Sequence, residues 1–355
     1  CSNVMSIFDR CMGKNNNIRR IEKSVLVLKS NVHVYEIDPM LESVYDAPLT
    51  SFPEQENPVE NLYDVTDIQS ENVMRSLGFD GQDIEYYDGL FKRLGRCPTN
   101  IELHDLSQSN SEHSRHWFFK GTLVDYDGKE IPKSLFQMIK YTQMFTNNRS
   151  IVAFCDNASA MTGFRVNGIK PVDGVYVEND GVVHITFTAE THNFPTGIEP
   201  FNGAATGVGG RIRDTHAIGR GGYVVAGIAG YCVGNIYDSK FIQKNIRTLL
   251  KASDGCSDYG NKFGEPLILG FCRDYGLTDP NGTRIEWLKP IMFSGGVGLL
   301  LNKDVVKNKP TTDMYVVKIG GPCYRIGIGG GAASSRDQDT KNIKEDLSAV
   351  QRGDP

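Results

Sequence analysis

Residues 182–195, Val182-Val183-His184-Ile185-Thr186-Phe187-Thr188-Ala189-Glu190-Thr191-His192-Asn193-Phe194-Pro195, set the frame for everything around them. Apolar and other side chains alternate from Val182 to Ala189, the period-two pattern of a strand. Val183, Ile185, Phe187 and Ala189 then share one face, and Glu190 falls at the strand's end on the opposite face with Thr186 and Thr188. A glycine-rich stretch follows: Gly203-Ala204-Ala205-Thr206-Gly207-Val208-Gly209-Gly210-Arg211-Ile212-Arg213-Asp214. Read as a loop, it lets backbone N–H groups approach phosphate oxygens without a Cβ in the way. Alone, such glycines more often mark tight turns beside buried strands. Two nearby acids, two arginines that suit an anionic substrate and a strand-end His-Asn shift the reading to a phosphate site. It is not a P-loop, because G-x-x-x-x-G-K-[ST] occurs nowhere.

Outward from this centre the chain alternates helices with short strands. Residues 24–36 alternate as a half-buried sheet would, and Pro48–Asp67 is rich in proline and acids and reads as a linker. Two helical segments follow. In the second, Thr99 is an N-cap with Glu102 three residues on, a capping box. That helix is expected to run through Leu103 and Leu106 towards His116. Residues 221–227 read as a strand, 241–252 as a helix and 314–319 as a strand leading into the glycines of 327–335. An α+β fold of mixed sheets and helices is expected.

Other chemistry is thinner. His113 and His116 lie three apart, a spacing that places both on one helix face; two histidines make a poor zinc site, although they suit proton handling near neutral pH. Gly327-Ile328-Gly329-Gly330-Gly331-Ala332 fits G-x-G-x-x-[GA], but no βαβ pattern surrounds it, so it is a weak dinucleotide signal. Asp254–Asp258 lacks the spacing of a calcium loop, and G-x-S-x-G is absent.

Composition sets outer bounds. The chain of 355 residues is 39% hydrophobic and 23% charged, with 38 glycines, as soluble globular proteins are. A net charge of −5 disfavours a nucleic-acid-binding surface, and no apolar run is long enough to span a bilayer. The eight cysteines contain no C-x-x-C pair, so a reduced, cytoplasmic protein is expected. The chain opens on Cys1 and stops at Asp354-Pro355, and a piece of something longer is expected.

Taken in order, several blocks carry a family resemblance. Ser109-Asn110-Ser111-Glu112-His113-Ser114-Arg115-His116-Trp117-Phe118-Phe119-Lys120-Gly121, then Thr188–Gly197, then 203–214, resemble the formylglycinamidine ribonucleotide synthetases in their large, eukaryotic-type form. Ser257–Pro266, Lys289–Gly296, Gly329–Ser335 and Val350–Pro355 continue the series. The resemblance implies a C–N-forming ligase of purine synthesis. Such enzymes convert formylglycinamide ribonucleotide, ATP and glutamine to the amidine, ADP, phosphate and glutamate through an iminophosphate. It implies Mg²⁺ and ATP, with ammonia supplied by a glutaminase domain that this chain lacks, and neither nucleic acid nor membrane as partner.

By matching position, the resemblance implies that His113 and His192 are catalytic and that Glu190 and Asp214 bind the metal. It assigns ATP to 203–214, His116, Leu269, Gly270 and Phe271. It assigns the ribonucleotide to Thr191, His192, Asn193, Phe194, Arg213 and Gln351. The implied domains are 1–52 (tail of a small α/β domain), 53–118 (helical linker), 119–308 (an aminoimidazole ribonucleotide synthetase-like nucleotide-binding domain) and 309–355 (the start of its partner). The segment alone is expected to lack activity. Phe194 stands where bacterial forms have a second histidine, Thr188 where they have lysine, and Ser114 where they often have cysteine. Two rivals are a sister enzyme, such as aminoimidazole ribonucleotide or selenophosphate synthetase, and a catalytically dead relative used for binding. The linker block argues against the first, and the intact acids and histidines argue against the second.

Overall fold

The computed structural model describes residues 37–51, 61–111, 113, 117–320, 325–335 and 343–353. The strand expected over 24–36 lies outside them, as does His116. The chain divides into two compact units, Cys1–Gln55 and Glu56–Pro355. In the first, the described residues form a turn at Asp38–Leu41 and no helix or strand.

The second unit begins with three helices where two were expected: α1 (Ile68–Arg75), α2 (Gly81–Leu94) and α3 (Asn100–Ser109). Each starts on a side chain that accepts an otherwise orphaned backbone N–H. Asp67 caps α1, and α2 and α3 open on capping boxes, Asp80 with Asp83 and Thr99 with Glu102. Val65, Ile68, Leu77, Phe79, Phe91 and Leu103 bury a common core beneath them. Helix α3 stops at Ser109 with Asn110 as its C-cap, short of the expected run to His116. His113 therefore sits in a turn beyond the helix.

Short elements follow: α4 (Trp117–Lys120), the two-stranded β1 (Leu123–Val124) and β2 (Glu130–Ile131), and α5 (Leu135–Tyr141). The main sheet comprises β3 (Ser150–Val152), β4 (Ser159–Val172), β5 (Val175–Thr191), β6 (Tyr223–Gly234), β7 (Leu267–Thr278), β8 (Arg284–Glu286) and β9 (Ile291–Leu301). Their order across the sheet is β3-β4-β5-β9-β6-β7-β8. Neighbours are antiparallel except β6 and β7. That parallel pair needs a crossover, which α8 (Ile242–Phe263) supplies after the shorter α6 (Asn193–Ile198) and α7 (Pro200–Ala217). The mixed α/β fold is thus as expected. α7 and α8 pack on one face of the sheet through Ala204, Val208, Ile212, Ala252 and Cys256 against Ala229 and Met292.

Strand β5 contains the alternating run, with burial reversed from its hydropathy. His184 and Thr186 are 3% and 1% exposed on the helix-covered face, whereas Phe187 on the other face is 40% exposed. His184 can be buried because both ring nitrogens are paired: Nδ1 accepts the Gly163 N–H at 3.2 Å and Nε2 faces Asn302 Oδ1 at 3.0 Å. Glu190 shares this helix-side face.

Two further expectations fail. Gly203–Asp214 is not a loop but lies wholly inside α7. The segment 314–319 is not a strand, and Tyr315 and Val316 are almost fully exposed. Among the described residues no strand lies alongside it to satisfy its backbone. Beyond it come α9 (Gly330–Ser335) and α10 (Ile343–Ala349).

Candidate functional site

The end of β5 is where the site is built. Glu190 and Thr191 still pair with Ser294 and Phe293 of β9. The next residues stay pinned to the same neighbour: His192 N–H donates to the Met292 carbonyl at 2.9 Å, and Asn193 Oδ1 accepts the Met292 N–H at 3.0 Å. Residues 190–195 are thereby carried out of the sheet into one wall of a cleft of about 520 Å³. His113 forms part of a second wall. Gly327, Gly330, Gly331 and Ser334, with Ala349 and Gln351, complete it. His113, Glu190, Thr191, His192, Asn193, Phe194 and Gln351, proposed from sequence at scattered positions, all border this cleft.

Electrostatics couple these groups. Burial pushes the Glu190 carboxyl above the usual carboxylate range, and the charge of Asp214 adds to this, while His113 and Arg213 oppose it. Burial likewise pulls the His192 imidazole below its ordinary value, with His113 and Arg213 contributing and a bond to Gly203 opposing. His192 Nδ1 bonds the Gly203 carbonyl oxygen. A carbonyl only accepts, so Nδ1 carries the proton and Nε2 presents a lone pair. A neutral, oriented imidazole is the form that takes up protons at neutral pH.

Helix α7 meets this strand end closely. A Cβ on Gly203 would lie 2.3 Å from the Pro195 carbonyl carbon, and one on Gly207 would lie 2.9 Å from His192 Cβ and from Met292 Sδ. A Cβ on Gly209 would enter the Tyr259 ring at 2.6 Å. These glycines are therefore packing contacts of a helix with α6, the sheet end and α8. Ala204, Ala205, Val208 and Ile212 are buried beside them.

Arg211, expected to face an anionic substrate, is 0% exposed and bound through both terminal nitrogens to the Glu265 carboxylate, also buried. Its Nε donates to Ser294 Oγ at 3.3 Å. Gly227 and Gly296 leave the room this guanidinium fills. Two residues on, Arg213 has 73% of its side chain exposed and lies 3.6 Å from Asp214. Asp214 Oδ1 accepts a bond from Asn157 Nδ2 at 3.4 Å. Thr206 Oγ1 donates to the Gln351 carbonyl at 3.3 Å and so ties α7 to the far wall.

Not all expected contacts converge. Leu269, Gly270 and Phe271 lie on β7, with Leu269 and Phe271 exposed and none of the three lining the cleft. Phe194 reaches the cleft but is 2% exposed and packs with Ala333 and Ala349. Sequence reasoning missed Gly331 and Ser334 as cleft residues. Their signal was the glycine run from Gly327, read as a weak dinucleotide motif and as a block of the family resemblance, with no site role given to either residue. Among the described residues no three His, Cys, Asp or Glu side chains form a metal-binding group, and no helix is long and apolar enough to cross a membrane.

Residues 68–116 match the formylglycinamide ribonucleotide amidotransferase linker domain. Over 94% of its length the chain is 46% identical to a probable phosphoribosylformylglycinamidine synthase, chloroplastic/mitochondrial, of Arabidopsis thaliana, covering 25% of that protein. It is 46% identical to the human phosphoribosylformylglycinamidine synthase over 90% of its length, covering 26% of that protein. Among solved structures, T. maritima PurL complexed with FGAR is 26% identical, with a TM-score of 0.45 over 77% of this chain and 35% of that one. The chain is similar over most of its length to phosphoribosylformylglycinamidine synthases and spans about a quarter of the length of the curated relatives it matches.

Proposed function

We propose that this segment contributes the ribonucleotide-binding wall and proton-handling groups of an ATP-dependent ligase. The enzyme would convert formylglycinamide ribonucleotide, with ammonia drawn from glutamine by a glutaminase domain elsewhere in the polypeptide, to formylglycinamidine ribonucleotide. One observation carries this reading: His113, Glu190, His192, Asn193 and Gln351, up to 238 residues apart, border a single cleft.

An amide oxygen is a poor leaving group. In the proposed reaction it attacks the γ-phosphorus of ATP, ADP departs, and ammonia then displaces phosphate from the iminophosphate. Chemistry of this kind asks the protein for positioning and charge neutralisation. Neutral His192, with its Nε2 lone pair, is suited to accept a proton from attacking ammonia, and His113 to shuttle one at the opposite wall. Asn193, Thr191, Arg213 and the Gln351 end would orient the ribonucleotide.

The residues present fit Mg²⁺. Burial and the charge of Asp214 push the Glu190 carboxyl upward, a cost that a cation held by these carboxylates would relieve. Magnesium is commonly held by one or two carboxylates, with water and phosphate oxygens completing its shell. When bound it would offset the charge of the nucleotide phosphates. On α7 the nucleotide role narrows to the outward positions Thr206, Gly210, Arg213 and Asp214.

The domain limits 1–52, 53–118, 119–308 and 309–355 belong to the same proposal, as does a cytoplasmic setting. Cys97, Cys155, Cys232, Cys256 and Cys272 are free thiols, in keeping with a reducing compartment.

The test is phosphate release by the full-length native polypeptide with Mg-ATP and the ribonucleotide, comparing ammonium with glutamine. Ribonucleotide-dependent release that falls at least a hundredfold in His113→Ala is expected. No release from folded protein under either nitrogen source would favour a binding role without catalysis.

A further inference from the structure

His113 stands in a turn after α3, where its backbone N–H donates to Ser111 Oγ at 3.3 Å and its imidazole meets a residue 221 positions away. Its Nε2 lies 3.2 Å from Ser334 Oγ. The Ser334 hydroxyl donates to the Gly331 carbonyl at 2.9 Å. A hydroxyl has one proton, so Ser334 Oγ receives the bond from His113, and Nε2 must carry the hydrogen. Ser334 is itself 6% exposed, with its backbone carbonyl accepting a bond from Lys289 Nζ at 3.3 Å.

The short helix that carries Ser334 is anchored in turn to the helix that precedes His113. Gln108 Oε1 in α3 accepts the Ala332 N–H at 3.1 Å. Gly331 sits so close to α3 that a Cβ there would lie 3.2 Å from the Gln108 carbonyl oxygen. His113 is thus held from both ends of a closed circuit: α3 to Gln108, Gln108 to α9, α9 to Ser334, and Ser334 back to the imidazole.

We infer that Ser334 is a positioning residue for His113, fixing the Nε2–H tautomer and the ring's direction into the cleft. The tautomer is a property of this chain and stands apart from catalysis. The kinetic consequence rests on the ligase reading above. Under that reading, a serine hydroxyl that is already committed to a carbonyl acceptor keeps His113 in one protonation geometry while substrate charge develops beside it.

The test has two arms. In the 355-residue chain, imidazole ¹⁵N shifts, with His113→Ala identifying the resonance, should show the Nε2–H tautomer. Ser334→Ala should convert it to a mixture, and Ser334→Thr should restore it. An Nδ1–H tautomer in the unaltered chain would overturn the inference even if Ser334→Ala failed to fold. So would unchanged His113 shifts in a folded Ser334→Ala. In the full-length polypeptide, Ser334→Ala should lower kcat about tenfold, the scale of one lost hydrogen bond, with KM for the ribonucleotide within about twofold, and Ser334→Thr should recover most of it. An unaltered kcat would refute the positioning role. Full turnover in His113→Ala would instead sink the ligase role of His113 and leave the tautomer result intact.

Discussion

Two glycine-rich stretches sit close to the same histidines, and only one of them lines the cleft. Gly203–Gly210 lies inside a helix, and Gly203, Gly207 and Gly209 disappear into contacts with Pro195, His192, Met292 and Tyr259. Gly327–Gly331 largely lines the cleft, with Gly327 at φ +94° and backed against Gln351. Both look like phosphate-cradling loops in one dimension. In the first, a missing Cβ serves helix packing. In the second it lets Gly327, Gly330 and Gly331 lie close against Gln351, Ala349 and Gln108 while lining the cleft beside His113 and Ser334. A run of glycines reports close approach, and only the fold says what approaches.

The sharpest way to break this contrast is at Arg211, the residue that most firmly assigns α7 to the interior. Arg211→Met strands the buried Glu265 carboxylate and should cost about 3–5 kcal/mol in urea unfolding. Adding Glu265→Leu should recover most of that, and Arg213→Met should stay within about 0.5 kcal/mol of the unaltered chain. Equal effects at 211 and 213 would mean that α7 does not present the two faces described. The next test compares glycines within and between the stretches. Gly203→Ala should destabilise by roughly 1–3 kcal/mol, because the clash is with backbone. Gly327→Ala should cost a similar 1–3 kcal/mol from its positive φ and displace Gln351, weakening ribonucleotide binding measured by calorimetry on the full-length polypeptide.

Gly210→Ala carries the opposite sign. Only the end of the Arg213 side chain comes within 4 Å of its Cβ, so helix propensity should stabilise the chain by about 0.5–1 kcal/mol. The smallest effect lies on α3, the helix that holds the second stretch through Gln108. The Glu102 carboxyl is held at about 2 by the Arg96 guanidinium and the Thr99 backbone N–H. A folded value below the unfolded one stabilises above roughly pH 4.5, and that contribution is lost as pH falls through 2. Glu102→Gln should therefore cost about 0.5 kcal/mol at pH 7, with the cost shrinking as pH falls towards 2, in matched denaturation series.

The elements most legible from sequence are those with local causes. The Thr99 and Glu102 capping box, the strands around Val182–Ala189 and Tyr223–Gly227, and the helix opening near Phe241 arise from neighbouring residues alone. His113, Glu190, His192 and Gln351 were also legible, through motif order. The burial sense of β5 was not. Hydropathy favours hiding Val183, Ile185 and Phe187, yet His184 goes inside because Gly163 and Asn302 wait there to bond it. Nor was Ser334, whose partner lies 221 residues away.

By itself, then, the sequence determined which chemical groups this protein has, where local caps and turns punctuate it, and which family its blocks resemble. Whether a glycine packs or lines a cleft, whether Arg211 or Arg213 meets solvent, and which proton His192 keeps were decided by tertiary structure. The reason is physical. Propensity and capping act over a turn or a strand, whereas desolvation, ion pairing and hydrogen-bond geometry depend on atoms brought together from distant parts of the chain.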